Sequence, residues 1–95
     1  MSQYRPDAAT AAYVDTAATR AVLVELLDER RHQVEDHGWT PAHDDEHHHE
    51  DFAWLIARRA VDMCNPATRG AIDSRRLMVE IAAIAIAAIE RLDRL

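Results

Sequence analysis

The sequence predicts an all-α protein, a three- to four-helix antiparallel bundle that forms one domain over residues 1–95. The chain has only two glycines and three prolines, which leaves little room for the tight turns of a β-rich architecture. Alanine, leucine, arginine and glutamate are abundant, and these residues favour helices. Apolar residues recur at spacings of three and four in three separate segments, as they do on the buried face of a helix. Residues 1–12 are polar and alanine-rich, and we expect them to be flexible or weakly helical.

The first predicted helix spans residues 15–36, with Asp15 as its N-cap. Its buried face is predicted to contain Val22, Leu23, Leu26, Leu27, Arg30 and Val34. Gly38 follows in the position of a left-handed C-cap.

The second predicted helix begins between Pro41 and Asp45 and runs without a break to about Cys64. Thr40 followed by proline is typical of an N-cap and a first helical position. Acidic residues fill the first turns, where the helix dipole favours negative charge. The Asn-Pro pair after Cys64 ends the helix.

The third predicted helix spans residues 74–92 and is apolar on nearly all sides between positions 77 and 89. Such a helix needs cover on several sides. We therefore expect the chain to form a dimer or tetramer through this helix. Its longest apolar run, residues 81–89, falls far short of the ~20 residues that a membrane span requires, so no membrane partner is expected.

The composition excludes some partners and indicates a compartment. The formal net charge is −6, and the eleven arginines are mixed with acids, which argues against direct binding to a nucleic-acid backbone. The single cysteine cannot form an internal disulfide. A reducing, cytoplasmic location is the resulting expectation.

A cluster of histidines and acids is the part of the sequence most suited to chemistry. All six histidines lie between positions 32 and 49, and the cluster is densest over 43–51. On a continuous helix, residues at spacings of three and four share a face and can hold a divalent cation. The predicted metal ligands are His43, Asp44, Asp45, Glu46, His47 and Glu50, with Glu29 and Glu80 from the other two helices. Carboxylates outnumber imidazoles in this set, so we expect Mg²⁺ or Mn²⁺ ahead of Zn²⁺.

Other interpretations of the same residues stay open. The cluster is also typical of a solvated helix N-terminus, where the helix dipole favours acidic residues. A third interpretation is a surface whose histidines gain positive charge at mildly acidic pH. Glu80 interrupts an apolar face and is expected to pair with Arg30 or Arg59. Glu25 and Glu29 are one turn apart and either face the second helix or form an exposed, ion-paired surface.

Several segments together resemble a group of short phage and prophage proteins, which implies the cytoplasm of a host cell as the location. The resemblance covers about residues 20–94, and Gly-Trp-Thr-Pro-x-His-Asp-Asp at positions 38–45 is its most specific part. The other segments are Glu29-Arg30-x-x-Gln33, Arg75-Arg76-Leu77 and Ile89-Glu90-Arg91-Leu92-Asp93-Arg94. The helical layout of these proteins is similar to that of the all-α nucleotide pyrophosphohydrolases, the MazG-like and dUTPase-like superfamily.

This second resemblance implies a magnesium-dependent enzyme that cleaves nucleoside triphosphates to monophosphate and pyrophosphate. Members carry Glu-Glu-x-x-Glu and Glu-x-x-Asp helices. The nearest segments here are Asp45-Glu46-x-x-His49 and Glu80-x-x-Ala83, and the second lacks its aspartate. Trp39 and Trp54 flank the cluster. We expect their rings either to stack on a nucleobase or to be core or interface residues.

Two functional hypotheses follow. The first is a metal-dependent nucleoside triphosphate pyrophosphohydrolase or a degenerate relative of one. The alternative is a non-enzymatic acidic phage protein that binds and inhibits a host complex, such as a nucleic-acid-binding defence assembly, through charge complementarity.

Overall fold

The computed structural model describes residues 7–65, 67 and 70–95, and the regular structure in these ranges is entirely helical. The helices are α1 Ala8–Val14, α2 Ala17–His37, α3 Pro41–Asp45, α4 His49–Cys64 and α5 Ala71–Asp93. The all-α prediction is confirmed, and the described ranges contain five helices in place of three or four. Of the segment predicted to be flexible or weakly helical, residues 1–6 lie outside the described ranges, and residues 8–12 belong to the helix α1.

The caps around α2 are partly as predicted. Gly38 has a φ of 71° and ends α2 in the left-handed conformation, as predicted. The N-cap is Thr16, because its hydroxyl accepts a 3.0 Å hydrogen bond from the backbone N–H of Thr19. The predicted cap, Asp15, instead forms a 2.8 Å ion pair with Arg20.

The prediction of one unbroken second helix is wrong. Thr40 caps α3 by accepting a 3.2 Å hydrogen bond from the backbone N–H of His43, but α3 ends after five residues. A new N-cap then forms at His48, whose N–H donates to Asp51 Oδ2 at 3.0 Å while its Nδ1 accepts from the N–H of Glu50 at 3.3 Å. Side-chain acceptors thus replace the helical hydrogen bonds of the predicted continuous helix.

The long helix α5 is the centre of the fold. It begins at Ala71, three residues before the predicted start, and every substantial packing between described helices involves it. The core forms where Phe52 of α4 meets Ile84 and Ala87 of α5, with exposed fractions of 6, 1 and 2%. The small side chain of Ala87 lets the helix axes approach closely, so a small number of side chains fills the contact.

Ion pairs between the helices define their directions. Arg59 of α4 lies 3.8 Å from Glu80 of α5, while the residues nearer the start of α4 pack further along α5, so these two helices are antiparallel. Glu25 contacts Arg75 and Arg30 contacts Glu90, so α2 runs in the same sense as α5. The three long helices alternate in direction along the chain, with α5 between the other two.

Three of the six residues predicted to form the buried face of α2 are exposed. Leu26 is 8% exposed, but Val22, Leu23 and Leu27 are 42, 53 and 64% exposed. The reason is that α2 has one substantial neighbour, α5, which covers only a narrow strip. The molecule is accordingly a slab of 41 × 39 × 23 Å with a radius of gyration of 15.3 Å, against roughly 13 Å for a compact domain of about 100 residues.

Among the helices described, none combines the length and the apolar character that crossing a lipid bilayer demands.

Candidate functional site

A cavity of about 300 Å³ lies where α3 meets the start of α4. Two backbone features bring its walls together. The left-handed turn at Gly38 reverses the chain, and the N–H of Trp39 then donates a 3.0 Å hydrogen bond to the carbonyl of Gln33. The break between α3 and α4 folds the second wall back towards the first. The cavity is lined by Trp39, His43, Asp44, His47, Asp51, Phe52 and Leu55.

One wall of the cavity carries two histidine–aspartate pairs. His43 Nδ1 lies 3.2 Å from Asp44 Oδ1, and His47 Nδ1 lies 3.3 Å from Asp51 Oδ2. The two imidazole rings are 4.6 Å apart between centroids. Asp44 is only 3% exposed, which is rare for a carboxylate and places its charge where water screens it little.

The other wall is apolar and continuous with the core. Phe52 is a core residue, and Trp39 and Leu55 pack against the same cluster. An apolar wall strengthens charged interactions that it shields from water, and among the acids of the cavity this applies to the buried Asp44 and not to the exposed Asp51. The arrangement of a polar wall facing an apolar one is common in sites for small molecules.

The charge state of Asp51 is set by its surroundings. The backbone N–H of His48 lowers the pKa of the Asp51 carboxyl below its ordinary value, and hydrogen bonding and charge from His47 lower it further. Asp51 is therefore a carboxylate at neutral pH, able to accept a hydrogen bond from an imidazole N–H.

Three of the predicted metal ligands, His43, Asp44 and His47, line this cavity together. The fourth polar residue, Asp51, lies outside the predicted set. On an unbroken helix it would lie about 80° from His43 and on the same side as His47, and the chain break before His49 also leaves it at the cavity. The signal for that break was the acidic residue three positions after His48, the spacing of a capping box.

The other predicted ligands of the cluster do not line the cavity. Asp45 accepts hydrogen bonds of 3.0 and 2.7 Å from Arg94, and this contact raises the pKa of the arginine. Glu46 is exposed at the end of α3, and Glu50 is exposed in the first turn of α4. Adjacent acids thus have different roles, since Asp44 is buried and Asp45 anchors α3 to the end of α5.

The two acids predicted from other helices do not line the cavity. Glu80 lies 3.8 Å from Arg59 Nε and 4.0 Å from Arg76, so the expected pairing with Arg59 is confirmed. Glu29 lies in a groove between α2 and α5 beside Arg75 and Arg76. Glu25, in the same groove, accepts two 2.6 Å hydrogen bonds from Arg75, so this acidic pair faces α5 and not α4.

A second histidine cluster lies on the surface next to the cavity. His48, His49 and Glu50 are the one set in the described ranges whose candidate ligand atoms all lie within 4.8 Å of one another. All three are exposed, and His48 Nδ1 already accepts the Glu50 N–H. The cavity group has the opposite balance, since it is partly enclosed but does not meet that spacing.

Comparisons with known proteins leave the site to be interpreted from its own geometry. No family model matches the chain, and neither a curated protein nor a solved structure matches it.

Proposed function

We propose that this chain binds a divalent cation in the cavity between α3 and α4, and that the cation holds the phosphates of a nucleotide for hydrolysis. The observation that carries the proposal is the pair of histidine–aspartate contacts on one wall of the cavity, at 3.2 and 3.3 Å. A histidine that binds a metal usually donates its other ring N–H to a carboxylate, which fixes the tautomer and orients the ring.

The two aspartates accordingly position the two histidines. With its Nδ1–H donated to Asp44, the His43 ring presents Nε2 as a ligand, and His47 does the same with Asp51. Two imidazole ligands leave coordination positions for water and substrate, the open arrangement that catalysis by a metal requires. Imidazole ligands favour Mn²⁺ or Zn²⁺ over Mg²⁺, which prefers oxygen.

The negative charge of the cavity explains why a cation is needed to bind a polyphosphate there. Asp44 and Asp51 give the cavity negative charge, which repels a polyphosphate until a cation offsets it. A divalent cation held by His43 and His47 would offset this charge and would supply an activated water for hydrolysis. Trp39 and Phe52 on the opposite wall offer aromatic surface to a nucleobase. The resemblance to all-α pyrophosphohydrolases points to release of pyrophosphate.

Metal binding is tested by titrating chelator-stripped protein with Mn²⁺ or Zn²⁺ in a calorimeter. We expect one site per chain, and the single variants His43→Ala and His47→Ala to bind at least ~10-fold more weakly. Loss of an orienting carboxylate in Asp44→Asn is expected to weaken binding roughly 10- to 100-fold. His32→Ala is the matched control, because His32 is half-exposed and contacts Asp36 outside the cavity. Binding lost in His49→Ala but kept in His47→Ala would assign the metal to the surface cluster and refute the proposal.

Hydrolysis is tested separately, by pyrophosphate release from a panel of nucleoside triphosphates with Mn²⁺. Wild-type activity that disappears in His43→Ala, with folding intact by circular dichroism, supports the catalytic role. A protein that binds metal in the cavity but releases no pyrophosphate from the whole panel contradicts hydrolysis and leaves metal binding standing.

A second candidate function is the binding of a basic surface on a host complex. Its support is the net charge of −6 together with the exposed carboxylates Glu46 and Glu50 beside the cavity. Binding of a defined host complex should weaken as salt rises and also in the double variant Glu46→Gln/Glu50→Gln. Insensitivity to both changes would exclude charge complementarity as the basis of binding.

A further inference from the structure

A groove between α4 and α5 collects arginine side chains that the proposed metal site does not use. Its volume is about 360 Å³, within the ~300–1,000 Å³ that is usual for ligand pockets. Helix α4 contributes Arg58, Arg59 and Asp62, and helix α5 contributes Arg76 and Glu80. Three guanidinium groups and two carboxylates therefore line the groove, a local excess of positive charge in a chain whose net charge is −6. We call it the arginine groove.

Most hydrogen-bond donors of these arginines are unused within the described ranges. Arg58 has neither a hydrogen bond nor an ion pair there. Arg59 donates one hydrogen bond of 3.1 Å, from Nη1 to the carbonyl of Leu55, but its Nε–H is buried and has no acceptor among the described residues. Arg76, which also borders the groove beside Glu29, comes no closer than 3.8 Å to a described carboxylate oxygen, too far for a hydrogen bond. A buried N–H without an acceptor costs stability, so Arg59 would gain from an oxyanion bound beside it.

The donors reach the arginine groove from two walls. On α4, Arg58 and Asp62 are one turn apart and share a face, as do Arg76 and Glu80 on α5. The two antiparallel helices are in contact at this level, because Arg59 Nε lies 3.8 Å from Glu80 Oε2. An anion between the helices would therefore meet N–H groups from both.

We infer that the arginine groove binds the phosphoryl groups of a small anion, with Arg58, Arg59 and Arg76 as donors. A carboxylate is planar and one guanidinium fork satisfies it, whereas a phosphoryl group is tetrahedral and accepts hydrogen bonds from several directions. Donors that come from two helices favour the tetrahedral anion. Glu80 and Asp62 lie among the arginines and repel further negative charge, so one or two phosphoryl groups fit better than a nucleic-acid backbone.

The arginine groove is separate from the cavity of the proposed metal site, although Leu55 lines both. Binding of an anion by the arginines requires no metal ion and neither of the histidines His43 and His47. Because the two sites are neighbours along α4, a nucleotide that reaches from the cavity is one source of the phosphoryl groups. A free anion such as pyrophosphate is the other source, and the donors are the same for both.

The test is calorimetric titration of the full chain with sodium pyrophosphate, in a buffer without phosphate, after a chelator and then dialysis have removed metal. We expect one site per chain. Arg58→Ala and Arg76→Ala should each weaken binding roughly 10-fold or more, because each removes charge-assisted hydrogen bonds. Glu80→Gln should tighten binding roughly 3-fold or more, because it removes a like charge beside the anion. A gain in affinity cannot result from partial unfolding, so this variant separates anion binding from a loss of structure.

Arg20→Ala is the matched control, since it deletes the same charge from α2, where the Arg20 side chain is 70% exposed and pairs with Asp15. It should bind pyrophosphate as the wild type does. His43→Ala should also do so, although its metal affinity is expected to fall, and this result separates the arginine groove from the metal site. Absence of binding by the wild type overturns the inference, as does an equal loss in Arg20→Ala or a loss confined to His43→Ala.

A nucleoside triphosphate is titrated under the same metal-free conditions to identify the source of the anion. Binding tighter than that of pyrophosphate, and weakened in Arg58→Ala, supports the inference with a nucleotide as the ligand. Weaker or equal binding, with pyrophosphate still bound through the arginines, supports it with the free anion as the ligand.

Discussion

Ile84 is the side chain on which the packing of α4 against α5 depends most. It is 1% exposed and contacts the core around Phe52 and Ala87. Shortening a buried isoleucine to alanine costs about 2–5 kcal/mol through lost burial and the cavity left behind. The neighbouring Ala83 and Ala87 are too small to fill that cavity, so we expect Ile84→Ala to cost about 4 kcal/mol, near the upper end. A 95-residue domain has roughly 5–14 kcal/mol of stability in total.

The assay is urea unfolding followed by circular dichroism at one fixed protein concentration, because association alters apparent stability. Ile84→Val should lose about 1 kcal/mol and Ile84→Ala about 4 kcal/mol. In a thermal scan the loss expected for Ile84→Ala corresponds to a fall in Tm of roughly 16–30 °C.

Ile89→Ala is the control for this series, since Ile89 is 57% exposed within one chain. This variant should cost less than ~1 kcal/mol. The reasoning fails if Ile84→Ala loses less than ~1 kcal/mol, or if Ile89→Ala is equally destabilising.

Three further predictions concern local features. Gly38→Ala should lower the free energy of unfolding in urea by about 1–2 kcal/mol, because φ is 71° there and alanine is strained in that conformation. No atom lies within 4 Å of an added Cβ, so the loss comes from the backbone and not from a clash. Gly38→Asn should lose clearly less. The hydrogen bonds from Arg75 lower the pKa of Glu25 from 4.5, so the contribution of this ion pair to stability is present above pH 4.5 and is lost as the pH falls through the lowered value. The difference in unfolding free energy between wild type and Glu25→Gln should therefore shrink over that range. A constant difference would disprove the linkage. His48→Ala removes the acceptor for the Glu50 N–H and should cost roughly 0.5–2 kcal/mol, with faster amide exchange at Glu50, while His48→Asp should retain the cap.

Local signals in the sequence predicted local structure well. Gly38 and Thr40 act as the predicted caps because a cap depends on a few neighbouring atoms that the sequence itself supplies. The break at residues 46–48 escaped prediction because histidine is an uncommon N-cap and the run of acids looks like a helix start anywhere along it. The all-helical character followed from spacing and composition, which do not depend on tertiary contacts.

The candidate site could be predicted only in part, because the roles of its acids are set by distant residues. Asp44 and Asp45 are equivalent in the sequence, yet Arg94, 49 positions away, binds one while the other is buried. Burial of α2 was overpredicted for a related reason. The pattern at Leu23 and Leu27 shows that these side chains favour an apolar contact, but it does not say whether the contact comes from the same chain.

The central position of α5 determines when the fold can form. Helices α2, α3 and α4 make their substantial contacts with α5 and not with one another, and α5 is the last of the helices in chain order. During synthesis residues 7–65 therefore lack their main packing partner until α5 emerges. Short helices without tertiary contacts are marginal in water. Formation of α2, α3 and α4 should consequently be late and cooperative with that of α5.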